Sequence, residues 1–275
     1  MTLVMGIVNV TPDSFSDGGR YAQADAAIAH GLQLLADGAD LLDVGGESTR
    51  PGAERVDPAV ERDRVLPVVS ALAAAGAVVS IDTMNSQTAV AAVHAGARIV
   101  NDVSGGLADD SMFAAVAGTG AELAIGHWRG PSTEMYARAD YADVTGEVVA
   151  ELAARVDAAE SAGIPRDRLI VDPGIGFGKR GDQNWMLLSH LPQVVDLGLR
   201  VLVGTSRKRF LADALAAAGA GAGAEGADER RRDLATAVTS FLASADGAWA
   251  VRVHDVIATR DALAVARAWR EGAAP

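Results

Sequence analysis

Short runs rich in Val, Ile and Leu recur along the chain, each separated from the next by a stretch with helical spacing. Eight of them predict strands, at residues 3–10, 40–44, 78–82, 98–103, 122–127, 168–172, 200–203 and 248–253. Continuous apolar runs suit parallel strands covered on both faces, because a half-exposed strand would alternate apolar and polar positions. Helices are predicted over 22–36, 58–75, 86–94, 144–162, 185–197, 229–245 and 258–269. Asp37-Gly38, Ala75-Gly76 and Ala162-Gly163 mark stops, and Ser86 and Asp110 read as helix caps. Eight strand–helix units in one series favour a closed (β/α)8 TIM barrel forming a single domain, while an open doubly wound sheet has the same periodicity and stays open as an alternative.

One stretch breaks the rhythm. Residues 214–227 are low-complexity Ala and Gly, which predicts a flexible surface segment without chemistry. The length of 275 residues suits one barrel, since such domains typically run to about 250. The chain has no cysteine, which removes disulfides, thiolate metal sites and a cysteine nucleophile. With 24 Lys and Arg against 36 Asp and Glu, the net charge of −12 argues against a nucleic-acid partner. An anionic small substrate is still compatible with it, because a local cluster of Arg and His suffices to hold phosphate. The apolar opening at 1–10 lacks a basic flank and is cut short by Thr11-Pro12-Asp13, so neither a leader nor a membrane span is expected and a cytoplasmic location is.

Chemistry-bearing residues gather at one end of the units. The strand candidates end in Asn9, in Gly45-Gly46-Glu47-Ser48-Thr49-Arg50-Pro51-Gly52, in Asp82-Thr83, in Asn101-Asp102, in His127-Trp128-Arg129, in Asp172-Pro173-Gly174, in Gly204-Thr205-Ser206-Arg207-Lys208 and in Arg252-Val253-His254. The opposite ends carry plain links such as Ala95-Gly96-Ala97. Barrel enzymes assemble their sites at the C-terminal strand ends, so this asymmetry predicts an active site there. Arg252 and His254 alternate along one strand and share a face, a natural pair for an oxyanion or phosphate. Asp82, Asn101 and Asp172 put two carboxylates and an amide into the mouth, suited to a guanidine-like edge such as that of a 2-amino-pyrimidinone, although each alone reads equally well as a turn cap. No His or carboxylate spacing marks a zinc site, and Asn9 offers one hard oxygen to a magnesium ion otherwise held by water and phosphate.

Taken together, the segments 5–19, 43–52, 80–84, 100–106, 169–179, 202–211 and 251–256 resemble dihydropteroate synthase over almost the whole chain. The most specific are Asn-Val-Thr-Pro-Asp-Ser-Phe-Ser-Asp-Gly-Gly at 9–19, Gly-Glu-Ser-Thr-Arg-Pro-Gly at 46–52 and Ser-Arg-Lys-Arg-Phe at 206–210. The resemblance implies condensation of p-aminobenzoate with 6-hydroxymethyl-7,8-dihydropterin diphosphate, giving dihydropteroate and pyrophosphate through a pterin carbocation. It implies that Asp82, Asn101, Asp172 and Lys208 hold the pterin, that Thr49, Arg252 and His254 bind the diphosphate, and that Asn9 ligates Mg2+. It further implies that Phe15 and Asp17 stabilise the cation, that Arg50, Pro51, Phe177, Lys208 and Arg209 border the aminobenzoate, and that the enzyme is a homodimer.

On this reading Arg252→Ala should weaken the pterin diphosphate and spare a pterin without phosphates. One departure stands out. The family usually carries Met-His at the end of the fifth strand, where this chain has Gly126-His127, so a roomier pterin floor is expected and Gly126→Met should tighten binding. Two rival readings are a methyltetrahydrofolate-binding methyltransferase barrel, which needs no diphosphate site, and a catalytically silent pterin-binding paralogue, which should have lost part of the clamp. Arg252, His254 and Lys208 favour the synthase over both.

Overall fold

In the computed structural model, residues 1–11, 20–218 and 228–272 are described. Eight parallel strands close into a barrel in the order of the chain: β1 (Leu3–Asn9), β2 (Leu41–Gly45), β3 (Val79–Asp82), β4 (Ile99–Asp102), β5 (Glu122–Gly126), β6 (Leu169–Asp172), β7 (Arg200–Val203) and β8 (Ala250–Val253). β1 pairs with both β2 and β8, which completes the ring and removes the open-sheet alternative. The helices around it are α1 (Arg20–Ala36), α2 (Pro58–Ala74), α3 (Ser86–His94), α4 (Met112–Ala117), α5 (Val144–Ser161), α6 (Gly181–Ser189), α7 (Leu191–Val195), α8 (Arg209–Ala217), α9 (Glu229–Ala245) and α10 (Val256–Gly272).

Strand residues alternate between two environments, as a period of two requires. Val4, Val8, Leu42, Val44, Ile81, Leu123, Ile125, Val171 and Val251 point outward and are buried beneath the helices. Met5, Leu41, Ile99, Ala124, Ile170, Leu202 and Ala250 point inward and form a small apolar plug. Two residues further along, six of these seven inward positions turn polar or lose their side chain, Asp43, Asn101, Gly126, Asp172, Gly204 and Arg252, while on β1 the position is Ile7. Register levels this second layer, for Gly45 pairs with Asp82, Asp82 with Asn101, and Gly126 with Asp172. The apolar plug therefore serves as a rigid floor beneath a polar mouth.

Three local expectations change. The helix predicted at 185–197 is two helices broken at His190, because Pro192 sits in the first turn of α7 and has no N–H for a bond back into α6. The caps fall one residue earlier than read: Asn85, not Ser86, caps α3, and the Asp109 carboxylate, not Asp110, accepts the Ser86 and Ser111 N–H groups at 2.8 and 2.9 Å. Of the stretch predicted flexible at 214–227, residues 214–217 complete α8, and 219–227 lie outside the described residues.

Candidate active site

The deepest polar group at the barrel mouth is Asp43 on β2, which has no exposed surface. The Asn101 amide donates to its Oδ2 at 3.0 Å, and Arg252 Nε donates to the same oxygen at 2.5 Å. A second guanidinium nitrogen of Arg252 reaches Asp82 Oδ2 at 2.7 Å. Burial pushes the Asp82 carboxyl up; Arg252 opposes this, and Asp43, Glu61 and Asp102 add to it. Among the predicted residues, then, Asp82, Asn101 and Arg252 do converge, but through an aspartate that was not predicted. Its signal was present in the sequence, an acidic residue inside the otherwise apolar strand Leu41–Gly45, where only a paired charge is tolerated. Arg252 is correspondingly committed. Its guanidinium ties two carboxylates of the floor together instead of standing clear beside His254.

Asp172 ends β6 and opens a turn built on three glycines in the left-handed region, Gly174, Gly176 and Gly178, with φ of 64°, 84° and 60°. The Gly174 N–H donates to Asp172 Oδ1 at 2.7 Å. Burial raises the Asp172 carboxyl, and the ammonium of Lys208 is the largest influence holding it down. Lys208 donates to the Ile175 carbonyl and lies 4.4 Å from the centre of the Phe177 ring. Burial lowers its ammonium to about 8, with Asp172 opposing. Asp172, Phe177 and Lys208, all predicted, thus form a second group on the other side of the mouth.

The rim is organised from the loop after β7. The Ser206 hydroxyl accepts the His254 backbone N–H at 3.1 Å and lies 2.8 Å from His254 Nδ1. Burial, followed by the nearby Arg207 and Arg252 guanidinium groups, lowers His254 to about 3, so the ring is neutral. Between Ser206 and Lys208, Arg207 adopts φ of 56°, a left-handed conformation unusual for a side-chain-bearing residue. It is clamped by Asp233 of α9 through bonds of 2.7 and 2.9 Å, and Thr236 accepts its N–H at 3.2 Å.

Asn9, half-buried, ends β1 in register with Gly45. Thr49, Arg50 and Pro51 lie on the loop after β2, which is braced from the β5–α5 excursion: Ser132 accepts the Gly52 N–H at 2.7 Å and donates its hydroxyl to the Thr49 carbonyl at 3.3 Å. Arg209 is on the outer rim, its side chain 84% exposed and 3.7 Å from Asp213. Phe15 and Asp17 lie outside the described residues. Among the described residues there is no group of three or more His, Asp or Glu able to hold a metal ion.

The expected vacancy at Gly126 is absent. A Cβ built there would lie 2.5 Å from the Val103 carbonyl oxygen and 2.6 Å from the Val103 Cα. Backbone following β4 occupies the space that a side chain at this position would need, so the floor is closed rather than enlarged.

A family model described as "Pterin binding enzyme" matches residues 5–254. A dihydropteroate synthase of Mycobacterium leprae is 53% identical over 97% of this chain and 93% of its own. A Xanthomonas albilineans dihydropteroate synthase with 4-aminobenzoic acid superposes with a TM-score of 0.89 at 44% identity, covering 100% of this chain and 94% of that one. The same organism's enzyme in complex with 7,8-dihydropteroate gives 0.85 at 42% identity, covering 100% and 95%. With a family match spanning the whole barrel and relatives this similar at nearly full length, the chain belongs to the dihydropteroate synthase family, transferases of folate biosynthesis.

Proposed function

We propose that this enzyme joins p-aminobenzoate to 6-hydroxymethyl-7,8-dihydropterin diphosphate by a dissociative route. The observation that carries the reading is the pairing at the mouth of two buried acceptor groups, the Asp82–Asn101 floor and Asp172, with the cations Arg252 and Lys208. Asp82, Asn101, Asp172 and Lys208 hold the pterin, whose amine and amide edge donates to carboxylates. Thr49, Arg252 and His254 face the diphosphate. His254, being neutral, adds no charge, so the cations on that side are the guanidinium groups near it, Arg207, Arg252 and Arg50.

The pterin C–O bond breaks first and pyrophosphate leaves with the electron pair. Phe15 and Asp17 then stabilise the cation, the aromatic face and the carboxylate both favouring positive charge. The neutral arylamine attacks with its lone pair, the C–N bond forms, and the proton passes to solvent. Arg50, Pro51, Phe177, Lys208 and Arg209 border the aminobenzoate. Lys208 thus touches both substrates, in keeping with its place between Asp172 and the Phe177 ring.

The donor set fits Mg2+. Asn9 offers a hard oxygen at the rim, and among the described residues no carboxylate cluster joins it, as suits an ion that keeps water and takes its other ligands from phosphate. When bound, the ion would neutralise charge on the departing pyrophosphate. No described helix is long and apolar enough to cross a membrane, and the reaction is assigned to the cytoplasm. The partner assigned to the chain is a second copy, seated on α9 and α10. Leu234, Val238 and Leu242 recur at four-residue spacing and are exposed, and Val265 and Trp269 do the same on α10. A groove lined by residues of both helices joins the two rows. A contiguous apolar face of this kind is uncommon on a monomer.

Release of pyrophosphate from the pterin diphosphate, measured with and without aminobenzoate and with and without Mg2+, tests the activity. Dihydropteroate formation that needs both substrates is expected. Pterin binding without pyrophosphate release would return the chain to the methyltransferase-type or silent reading.

A further inference from the structure

Lys179 is the largest side chain in the fully buried interior, 1% exposed, and the reaction outlined above does not use it. Among the described residues its ammonium meets no carboxylate directly. It donates to the carbonyls of Gly174 and Phe177, each at 3.0 Å, and to His127 Nδ1 at 2.9 Å. His127 Nε2 in turn lies 2.8 Å from Glu151 Oε2, and the outer end of Glu151 is held by Arg129. Burial and the Lys179 charge lower His127 to about 4, so the ring is neutral, accepts from Lys179 and donates to Glu151.

The three bonds of Lys179 converge on one turn. Its glycines at 174, 176 and 178 have positive φ, which directs the carbonyls of Gly174 and Phe177 to the ammonium, while the Ile175 carbonyl faces Lys208 on the other side. Gly174, gripped by Lys179 through its carbonyl oxygen, is also the residue whose N–H fixes Asp172. The Phe177 peptide is gripped likewise, and carries the ring under Lys208. We propose that Lys179 is a positioning residue for both substrates: its buried ammonium, backed by His127 and Glu151, sets the β6–α6 turn so that Asp172 meets the pterin and Phe177 the aminobenzoate. This rests on the assignment of those two residues to those substrates.

A lone buried cation is costly, and a carbonyl-only anchor would need none. What the charge adds is its field at Asp172, where it opposes the desolvation that raises the carboxyl. The same burial lowers Lys179 to about 7. The charged groups facing it are Asp172 and Glu151, which favour the ammonium, and Lys208 and Arg129, which disfavour it; His127 is neutral. Its charge is present below that value and lost as pH rises through it, so the grip on the turn weakens on the alkaline side.

Lys179→Met keeps the bulk and removes the charge. Calorimetry should show the pterin diphosphate binding about tenfold more weakly or worse, with a parallel rise in KM for aminobenzoate. Glu151→Gln acts at the half-exposed outer end and does not disturb the core. Removing that anion should move the alkaline decline in pterin affinity to lower pH. If Lys179 only supports the fold, Lys179→Met lowers the melting temperature while its folded fraction binds both ligands as the parent does, and the pH profile of Glu151→Gln superimposes on the parent's; either result overturns the proposal. Should Lys179→Met not fold, the Glu151→Gln profile decides alone. Parent protein that fails to bind the pterin diphosphate would instead overturn the assignment of the site.

Discussion

Arg252→Ala separates the site as built from the simpler phosphate clamp expected of the Arg252–His254 pair. The guanidinium joins Asp43, with 0% of its side chain exposed, to Asp82, with 9% exposed, so its removal strands two buried carboxylates side by side. Breaking a buried ion pair from one side typically costs about 3–5 kcal/mol. For a domain of this size about 1 kcal/mol moves the melting temperature by roughly 2–4 °C, so a drop on the order of 10 °C is expected. The deficit should depend on pH. In the variant the Asp82 carboxyl, raised by burial and no longer opposed by Arg252, titrates above the unfolded value of about 4, so it holds a proton that the unfolded chain releases. The folded form is therefore favoured at low pH and loses ground as pH rises through the raised value. Melting of parent and variant from pH 5 to pH 8 should show a gap that widens upward. On the proposed assignment of Asp82 to the pterin floor, calorimetry should show weaker binding of a phosphate-free pterin as well as of the pterin diphosphate. Parent-like stability, with a loss confined to the diphosphate, would show that Arg252 serves only the phosphates and that its pairing with Asp43 and Asp82 has no energetic consequence.

Gly126→Ala should lower stability and should not tighten pterin binding, because its Cβ would sit 2.5 Å from the Val103 carbonyl; a thermal melt and a pterin titration that both improved would contradict this. Asp17→Ala and Phe15→Ala should each lower kcat far more than they weaken pterin diphosphate binding, read by rapid-mixing measurement of pyrophosphate release. Trp269→Glu with Val238→Glu should convert a dimer to a folded monomer in sedimentation, since both side chains stand on the exposed apolar face of α9 and α10; an unchanged mass would assign the subunit contact elsewhere.

The architecture was legible because it depends on period and order, which a linear chain displays directly. Eight apolar runs at regular intervals, with polar residues at one end of each, lead to the barrel and to the face that carries the site. What the pattern could not display is which polar groups satisfy one another across the ring. Asp43 and Arg252 stand 209 residues apart, and Arg207 and Asp233 stand 26 apart on different elements. Such pairs are set by register and closure rather than by spacing, so the reading of Arg252 as a clear phosphate ligand followed from its neighbour His254 alone. The error at Gly126 has the same origin. Glycine in a strand reads as a missing side chain, yet equally marks a place where another backbone comes close, and only the position of Val103 distinguishes the two. Lys179 was visible within the glycine-rich turn, but a lysine after a turn ordinarily reads as solvated surface. Its burial follows from the three left-handed glycines, which curl the chain around its own ammonium. The polar residues at the barrel mouth are therefore largely readable as motifs in this fold, whereas the pairings that hold them in place are readable only once the barrel has closed.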